Sequence, residues 1–316
     1  MIGNENWTKS LEEIIKTGIP ESQLEIWSHQ GAVKTAKATH ESIRRALNSH
    51  EWPYNIDFEV YLQGSYKNST NIRGDSDVDI VVQLNSTFLP GLANLSLYGG
   101  IIFNWAYPNA AYLWEHFRAD VLQALENYYG TSGISEGNKS LKVAGNSGRL
   151  PADVVVCLQY RGYQYFRSRY DEQYVEGIVF YSFRENQWIL NFPKQHYNNG
   201  VTKNEETNGW YKRTVRVFKN ARTYIVNKGV ISENLAPSYF LECLLYNVPN
   251  IYFGNNYKES FSNIIDWLLY TFSSNNYRVF LCQNELLPLF GDEPEQWSVN
   301  DAIELLVALT ELWSDW

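Results

Sequence analysis

The sequence predicts an α+β fold in two lobes: a mixed-sheet lobe over residues 1–205, with its N-terminal helix, and a helical lobe over residues 206–316. Three observations lead there. Segments of two-residue apolar alternation and β-branched runs recur through the first two thirds of the chain. Helical stretches fall among those strands. Beyond about residue 205 the apolar period changes to three and four, and stays there.

Residues 30–48 read as a helix, because Val33, Ala36, His40, Ile43 and Leu47 recur at spacings of three and four. His40 falls on that apolar stripe and reads as a packed core histidine, not a ligand. Residues 57–63 alternate as a strand, with Phe58, Val60 and Leu62 on one face, and end at Gly64-Ser65. After a short polar stretch, Val78-Asp79-Ile80-Val81-Val82 reads as a second strand. Pro, Gly and Asn among aromatics mark 85–109 as a loop excursion. Residues 110–128 have helical periodicity. A hairpin-like region at 134–160 carries Leu141-Lys142-Val143 and Val154-Val155-Val156, and 178–190 suggests further strand. The helical lobe is assembled from 211–227, 237–248, 259–273 and 297–314.

With 44% hydrophobic and 16% aromatic residues over 316 positions, the chain has ample material for a core. Its net charge of −9, with no dense Lys/Arg window, argues against a protein that tracks a long nucleic acid. Small metal-complexed nucleotides remain acceptable ligands. Cys157, Cys243 and Cys282 are too widely spaced for a zinc site or a disulfide framework, and the five His show no metal-ligand spacing. There is no basic start with an apolar run to make a signal peptide, and no apolar run of about 18 residues to span a membrane. By elimination the expected compartment is the cytoplasm, without a membrane partner.

The chemistry concentrates in the string from Gly64-Ser65 to Asp77-Val78-Asp79-Ile80. Residues two apart on a strand share a face, so Asp77 and Asp79 are expected to project together while Val78 and Ile80 face the core. Neighbouring carboxylates repel unless a cation lies between them. Mg²⁺, a hard ion that takes oxygen ligands, suits such a pair. Two such ions about 4 Å apart serve phosphoryl transfer by activating the attacking hydroxyl and stabilising the departing pyrophosphate. A third acid is needed, and Asp153, opening the run Asp153-Val154-Val155-Val156, is the best placed. Gly64 permits a tight turn with close backbone approach, and Ser65 offers a hydroxyl and an N–H to a phosphate. Asp75, in a Gly-Asp-Ser turn, reads as an exposed turn residue.

Gly-Ser, an eleven-residue spacer and Asp-Val-Asp-Ile together resemble the signature of the DNA polymerase β-type nucleotidyltransferase superfamily. Over residues 30–250 the chain is similar to its bacterial branch related to cyclic GMP–AMP synthase, the CD-NTases of anti-phage (CBASS) signalling. The segments that carry this are Leu62-Gln63-Gly64-Ser65-Tyr66-Lys67-Asn68, Ala152-Asp153-Val154-Val155, Asn191-Phe192-Pro193-Lys194-Gln195-His196 and Pro237-Ser238-Tyr239-Phe240-Leu241-Glu242. The last two look most like the clade called CdnE, which often uses pyrimidine nucleotides.

That resemblance implies a two-lobed polymerase β-type fold with the active site in the cleft. It implies two Mg²⁺ ions, replaceable by Mn²⁺, on Asp77, Asp79 and Asp153. Substrate contacts are implied for Gln63, Gly64 and Ser65, and for Lys219 and Ser238 on the triphosphate, with Tyr239 stacking on a base. Asn191 falls near the cleft, where its amide can match the edge of uracil.

The residues themselves leave choices open. Lys212, Arg216, Lys219 and Thr223 share one helical face, which either meets a triphosphate or is simply solvated. Ser238 grips phosphate or caps a helix, Tyr239 stacks on a base or packs in the core, and Asn191 reads a base or makes a turn. The implied activity joins nucleoside triphosphates, UTP and ATP foremost, into a cyclic dinucleotide such as cyclic UMP-AMP or cyclic di-UMP. Pyrophosphate leaves, and a separate effector protein reads the product. A nucleotidyltransferase acting on a protein, RNA or antibiotic is one alternative. A catalytically silent nucleotide sensor is another, against which the retained acids count.

Overall fold

The computed structural model describes residues 18–31, 34–53, 55–72, 77–293 and 295–316. Val33 and Asp75 therefore lie outside the described residues. In chain order the elements are α1 (Glu21–Ser28), α2 (Lys34–Asn48), β1 (Phe58–Leu62), α3 (Gly64–Asn68), β2 (Val78–Gly91), α4 (Leu97–Ala106) and α5 (Trp114–Tyr129). Next come β3 (Ile134–Glu136), β4 (Leu141–Val143), β5 (Ala152–Ser168), β6 (Asp171–Ser182) and β7 (Gln187–Asn191). The remaining helices are α6 (Pro193–Glu206), α7 (Trp210–Asn227), α8 (Ser238–Tyr246), α9 (Tyr257–Ser273) and α10 (Val299–Asp315).

The chain divides into two units. The sheet unit takes Ala32–Lys67 and Arg73–Lys194. Its strands lie in the order β1-β2-β5-β4-β3, while β6 pairs with the far half of β5 and carries β7. Only β2 and β5 run parallel among the described pairs. Side chains alternate across a strand. Val78, Ile80 and Val82 of β2 and Val154 and Val156 of β5 thus share one face, buried in a cluster with Ile43 and Leu47 of α2 and Phe117 and Val121 of α5. Asp79 and Val81, with Asp153 and Cys157, take the opposite face.

One expectation changes here, a second is refined, and one further helix appears. The stretch 85–109 is largely ordered, not loop: β2 continues to Gly91 past an irregularity between Leu84 and Phe88, and α4 follows. Ser96 caps α4 by accepting from the Gly99 N–H, and Phe103 packs with Tyr163 and Phe166. Glycine and asparagine hid a helix that packing sustains. Residues 178–190 form a β6–β7 hairpin that includes Asn186 at φ 51°, a left-handed conformation. Helix α6 begins on Pro193, a residue the first turn of a helix accepts because its N–H would be unpaired anyway.

The helical unit takes the described residues up to Gly31, Asn68–Ile72 and Gln195–Trp316. The expected division at 205/206 is therefore displaced, and two earlier segments join the helices. The reason is burial: Ile19 and Leu24 enter the same core as Phe218, Phe240, Phe261 and Leu305. No helix among the described residues is long and apolar enough to cross a membrane.

Candidate active site

The parallel register of β2 and β5 sets Asp79 directly across from Asp153. Pro151 O accepts the Val78 N–H at 2.9 Å, which keeps the starts of the two strands in step. Asp77 departs from expectation in one respect: the strand begins at Val78, so Asp77 stands one residue ahead of it and is exposed. Asp77 and Asp153 line one shallow cleft of about 170 Å³ together with Lys142 and Pro151. Asp153 Oδ1 accepts from Ser140 Oγ at 3.0 Å and lies 3.9 Å from Lys142 Nζ. That ammonium is largely exposed, and a pair of this kind contributes about 0–1 kcal/mol.

Carboxylates brought together in this way repel one another, and a bound cation would relieve that repulsion. The donors are all oxygen, which fits a hard divalent ion such as Mg²⁺. Among the described residues no three acids, His or Cys close into a cage. An ion held here would complete its shell with water and substrate oxygens, as Mg²⁺ commonly does.

Gly64 fits the same site. It has φ +64°, and a Cβ built on it would stand 2.0 Å from Asp79 Oδ2, so only glycine lets this backbone approach that carboxylate. The Gln63 N–H donates to Asp79 O at 3.0 Å, which ties the end of β1 to β2. Ser65 follows, half-buried, in the single turn α3. Gln63 and Gly64 are thus brought to Asp79, with Ser65 next to them in sequence. At the end of β7, Asn191 pairs with Ile178, and its Oδ1 accepts the Phe192 N–H at 2.8 Å. That oxygen is turned back onto the chain as a local turn would have it.

The helical-unit residues differ from expectation. The basic face of α7 is not solvated: Arg216 and Lys219 are buried, Lys219 to 2% exposure. Lys219 Nζ reaches Glu242 Oε1 at 2.5 Å, so its charge is spent inside the unit. Ser238 is exposed in the first turn of α8, where Pro237 occupies the capping position and no side chain caps the helix. Tyr239 is no open platform. Its ring already stacks on His196 (centroids 4.8 Å, 21° between planes) and on Trp297 (5.6 Å, 30°), and burial pushes its phenol well up.

Sequence reasoning missed Glu242, which the structure makes the centre of a polar cluster. Burial alone would raise its carboxyl, but the Lys219 ammonium and the His196 hydrogen bond outweigh that and hold it well below the usual carboxylate range. The signal was present: an acid between Leu241 and Cys243 on an otherwise apolar helix demands partners.

Comparison with known proteins agrees with the two units. The nucleotidyltransferase domain model matches residues 42–108, and the model for the cGAS/DncV-like nucleotidyltransferase C-terminal helical domain matches residues 198–314. A cyclic UMP-AMP synthase of Rhodothermus marinus is 52% identical over 94% of this chain and 99% of its own length. The solved structure of the R. marinus CdnE c-UMP-AMP synthase with Apcpp and Upnpp superposes with a TM-score of 0.84, covering 94% of this chain and 97% of that one. The cyclic nucleotide synthase CdnE01 of Staphylococcus haemolyticus is 39% identical over 94% of this chain and 99% of its length. A cyclic dipurine nucleotide synthase of Elizabethkingia meningoseptica is 37% identical over 78% of this chain and 82% of its length. With these matches across both units, the chain belongs to the bacterial CD-NTases, the cGAS/DncV-like nucleotidyltransferases, within their CdnE clade.

Proposed function

We propose that this enzyme condenses UTP and ATP into a uridine-containing cyclic dinucleotide, cyclic UMP-AMP foremost, releasing pyrophosphate at each step. The observation that carries the reading is Asp79 set opposite Asp153, with Gly64 packed on the Asp79 carboxylate. The choice of bases leans on the 52% identity to the R. marinus synthase. The dipurine relative at 37% makes the bases a property of individual members and not of the family. In this reading the product signals to a separate effector protein in anti-phage defence.

Nucleotidyltransferases of this family use divalent metals. We assign two Mg²⁺ ions to Asp77, Asp79 and Asp153, with Mn²⁺ as a substitute. Bound there, they would supply Lewis-acid polarisation of the α-phosphate and acidify the attacking hydroxyl. Asp153, its Oδ1 oriented by Ser140, takes up the hydroxyl proton. Ser65, the Gly64 N–H and the Gln63 side-chain amide hold phosphate oxygens, and the exposed Ser238 hydroxyl is assigned to the triphosphate. Lys219, paired with Glu242 inside the helical unit, holds no phosphate in this reading. Asn191 is assigned to base choice, its amide giving up the Phe192 N–H to read a pyrimidine edge.

The test is incubation with all four ribonucleotides, singly and in pairs, with Mg²⁺ or Mn²⁺, then phosphatase treatment and mass spectrometry. A phosphatase-resistant product from UTP plus ATP is expected. Asn191→Ser is expected to shift the product spectrum away from uridine. An unchanged spectrum removes Asn191 from the reading, and absence of any cyclic product across metals and pH overturns it altogether.

A further inference from the structure

Glu242 is 4% exposed on α8, where an unpartnered carboxylate would be costly. Four donors from three other segments meet it. Thr70 Oγ1 (2.6 Å) and Lys219 Nζ (2.5 Å) donate to Oε1, and Asn68 Nδ2 (3.1 Å) and His196 Nε2 (3.1 Å) donate to Oε2. Because an ionised carboxylate only accepts, His196 Nε2 is the donor in that contact.

Two of the four donors lie on one short segment, and that segment is held at further points. Arg216 Nη1 donates to Ser69 O at 2.5 Å, and Lys219 Nζ to Thr70 O at 3.3 Å. Gln30 Nε2 donates to Asn71 Oδ1 at 2.8 Å and the Gly31 N–H to Asn71 O at 3.0 Å. Ser69 sits at φ 59°, a left-handed conformation uncommon for a non-glycine residue. Such a conformation persists where surrounding bonds over-determine it.

The place of this segment in the chain gives the cluster its meaning. Asn68 is the last residue of α3, the turn that begins at Gly64 and contains Ser65. Beyond Ile72 the chain runs on to Asp77 and β2. The residues that Glu242 holds lie on the covalent link between the Gly-Ser turn and the acid strand. We infer that Glu242 is a positioning residue for nucleotidyl transfer: through Thr70 and Asn68 it fixes the connector, and so the register of Ser65 against Asp77 and Asp79. It touches no reacting atom. The inference rests on the synthase reading for its kinetic consequence but not for its structural one.

Thr70→Val and Thr70→Ser separate positioning from mere packing, because only Ser keeps the hydroxyl that Glu242 accepts. Thr70→Val is expected to lower kcat for product formation by about 10- to 100-fold, since small misplacements cost this much, with nucleotide KM nearly unchanged. Thr70→Ser is expected to recover most of it, and Glu242→Gln to fall with Thr70→Val. Wild-type kcat in folded Thr70→Val and Glu242→Gln, or equal loss in the Ser and Val variants, overturns the inference. Should Thr70→Val fail to fold, Asn68→Ala carries the same expectation. Hydrogen exchange gives a second readout that needs no activity. Amides of residues 65–72 are expected to lose about tenfold protection in Thr70→Val, with α9 unchanged. Unaltered protection there sinks the inference. Failure of wild-type turnover, with that protection lost, sinks the synthase reading alone.

Discussion

Asp79 and Asp153 of the sheet unit and Glu242 of the helical unit are all carboxylates on apolar elements, yet the protein surrounds them differently. Asp79 and Asp153 face each other across parallel strands, and Asp153 has one hydroxyl and one distant ammonium beside it. Glu242 is buried and filled by four donors, one of them a buried ammonium. Acid faces acid in the first place, whereas the protein's own donors fill the second. An acid left half-exposed opposite another acid is prepared for a cation from outside. An acid saturated by the protein's own donors anchors backbone instead. The two settings suit different roles: a cation site in the proposed reading, and an internal anchor in the inference drawn for Glu242.

The largest expected effect tests the first half of that contrast. Asp77→Ala combined with Asp79→Ala should reduce product formation by about 10³-fold or more, as loss of a transition-state charge stabiliser does. Removing like charges should leave the melting temperature unchanged or higher, and should abolish any rise in it on adding Mg²⁺. Mass spectrometry of products and thermal melts with and without Mg²⁺ check both. A double variant that unfolds would place these acids with Glu242 as structural.

The next effect tests the second half. Glu242→Ala leaves the Lys219 ammonium buried without its partner, a loss of about 3–5 kcal/mol read from urea unfolding. Glu242→Gln sharpens the point through pH. The folded carboxyl is held below its ordinary value of 4.5. Between the two values the unfolded chain binds more protons, so stability rises with pH there. The carboxylate's contribution is complete above that ordinary value and is lost as pH falls toward the folded one. Since Gln cannot ionise, the stability gap between wild type and Glu242→Gln should narrow steadily below pH 4.5. A gap that stays constant into acid would show that Glu242 carries no proton-linked stability.

The same contrast accounts for what the sequence made legible. Asp79 was readable because a strand has a fixed period of two and the Gly-Ser turn marks its partner strand. Asp153 was readable because an acid opening a β-branched run is costly without a task. Lys219 was not. Helical periodicity groups it with Lys212 and Arg216, and its partners Glu242 and Thr70 stand 23 and 149 residues away. The choice for Tyr239 was likewise open in the sequence, because its stacking partners His196 and Trp297 come from distant segments. Local pattern fixes which face a residue takes, while long-range packing decides whether that face meets solvent. Helices α4 and α6 were hidden by glycine and by Pro193, whose usual preference for turns is overridden by packing and by position in the first turn.

Gly64 brings the comparison to a single atom and gives the smallest stability effect. An alanine there must hold a left-handed backbone at φ +64°, which costs about 1–2 kcal/mol. That strain alone would lower the melting temperature by a few degrees and leave the chemistry intact. The new Cβ would also fall 2.0 Å from Asp79 Oδ2, and a carboxylate end on a short side chain can swing away more cheaply than the backbone can move. Gly64→Ala should therefore relax by displacing the Asp79 carboxylate from the face it shares with Asp153. The expected result is a modest melting shift with a disproportionate rise in the Mg²⁺ concentration needed for half-maximal product formation. If metal dependence stays at the wild-type value while stability falls, Gly64 serves the turn alone and the close approach to Asp79 has no catalytic weight. If both change, the close approach of the Gly64 backbone to the Asp79 carboxylate carries catalytic weight as well as turn geometry.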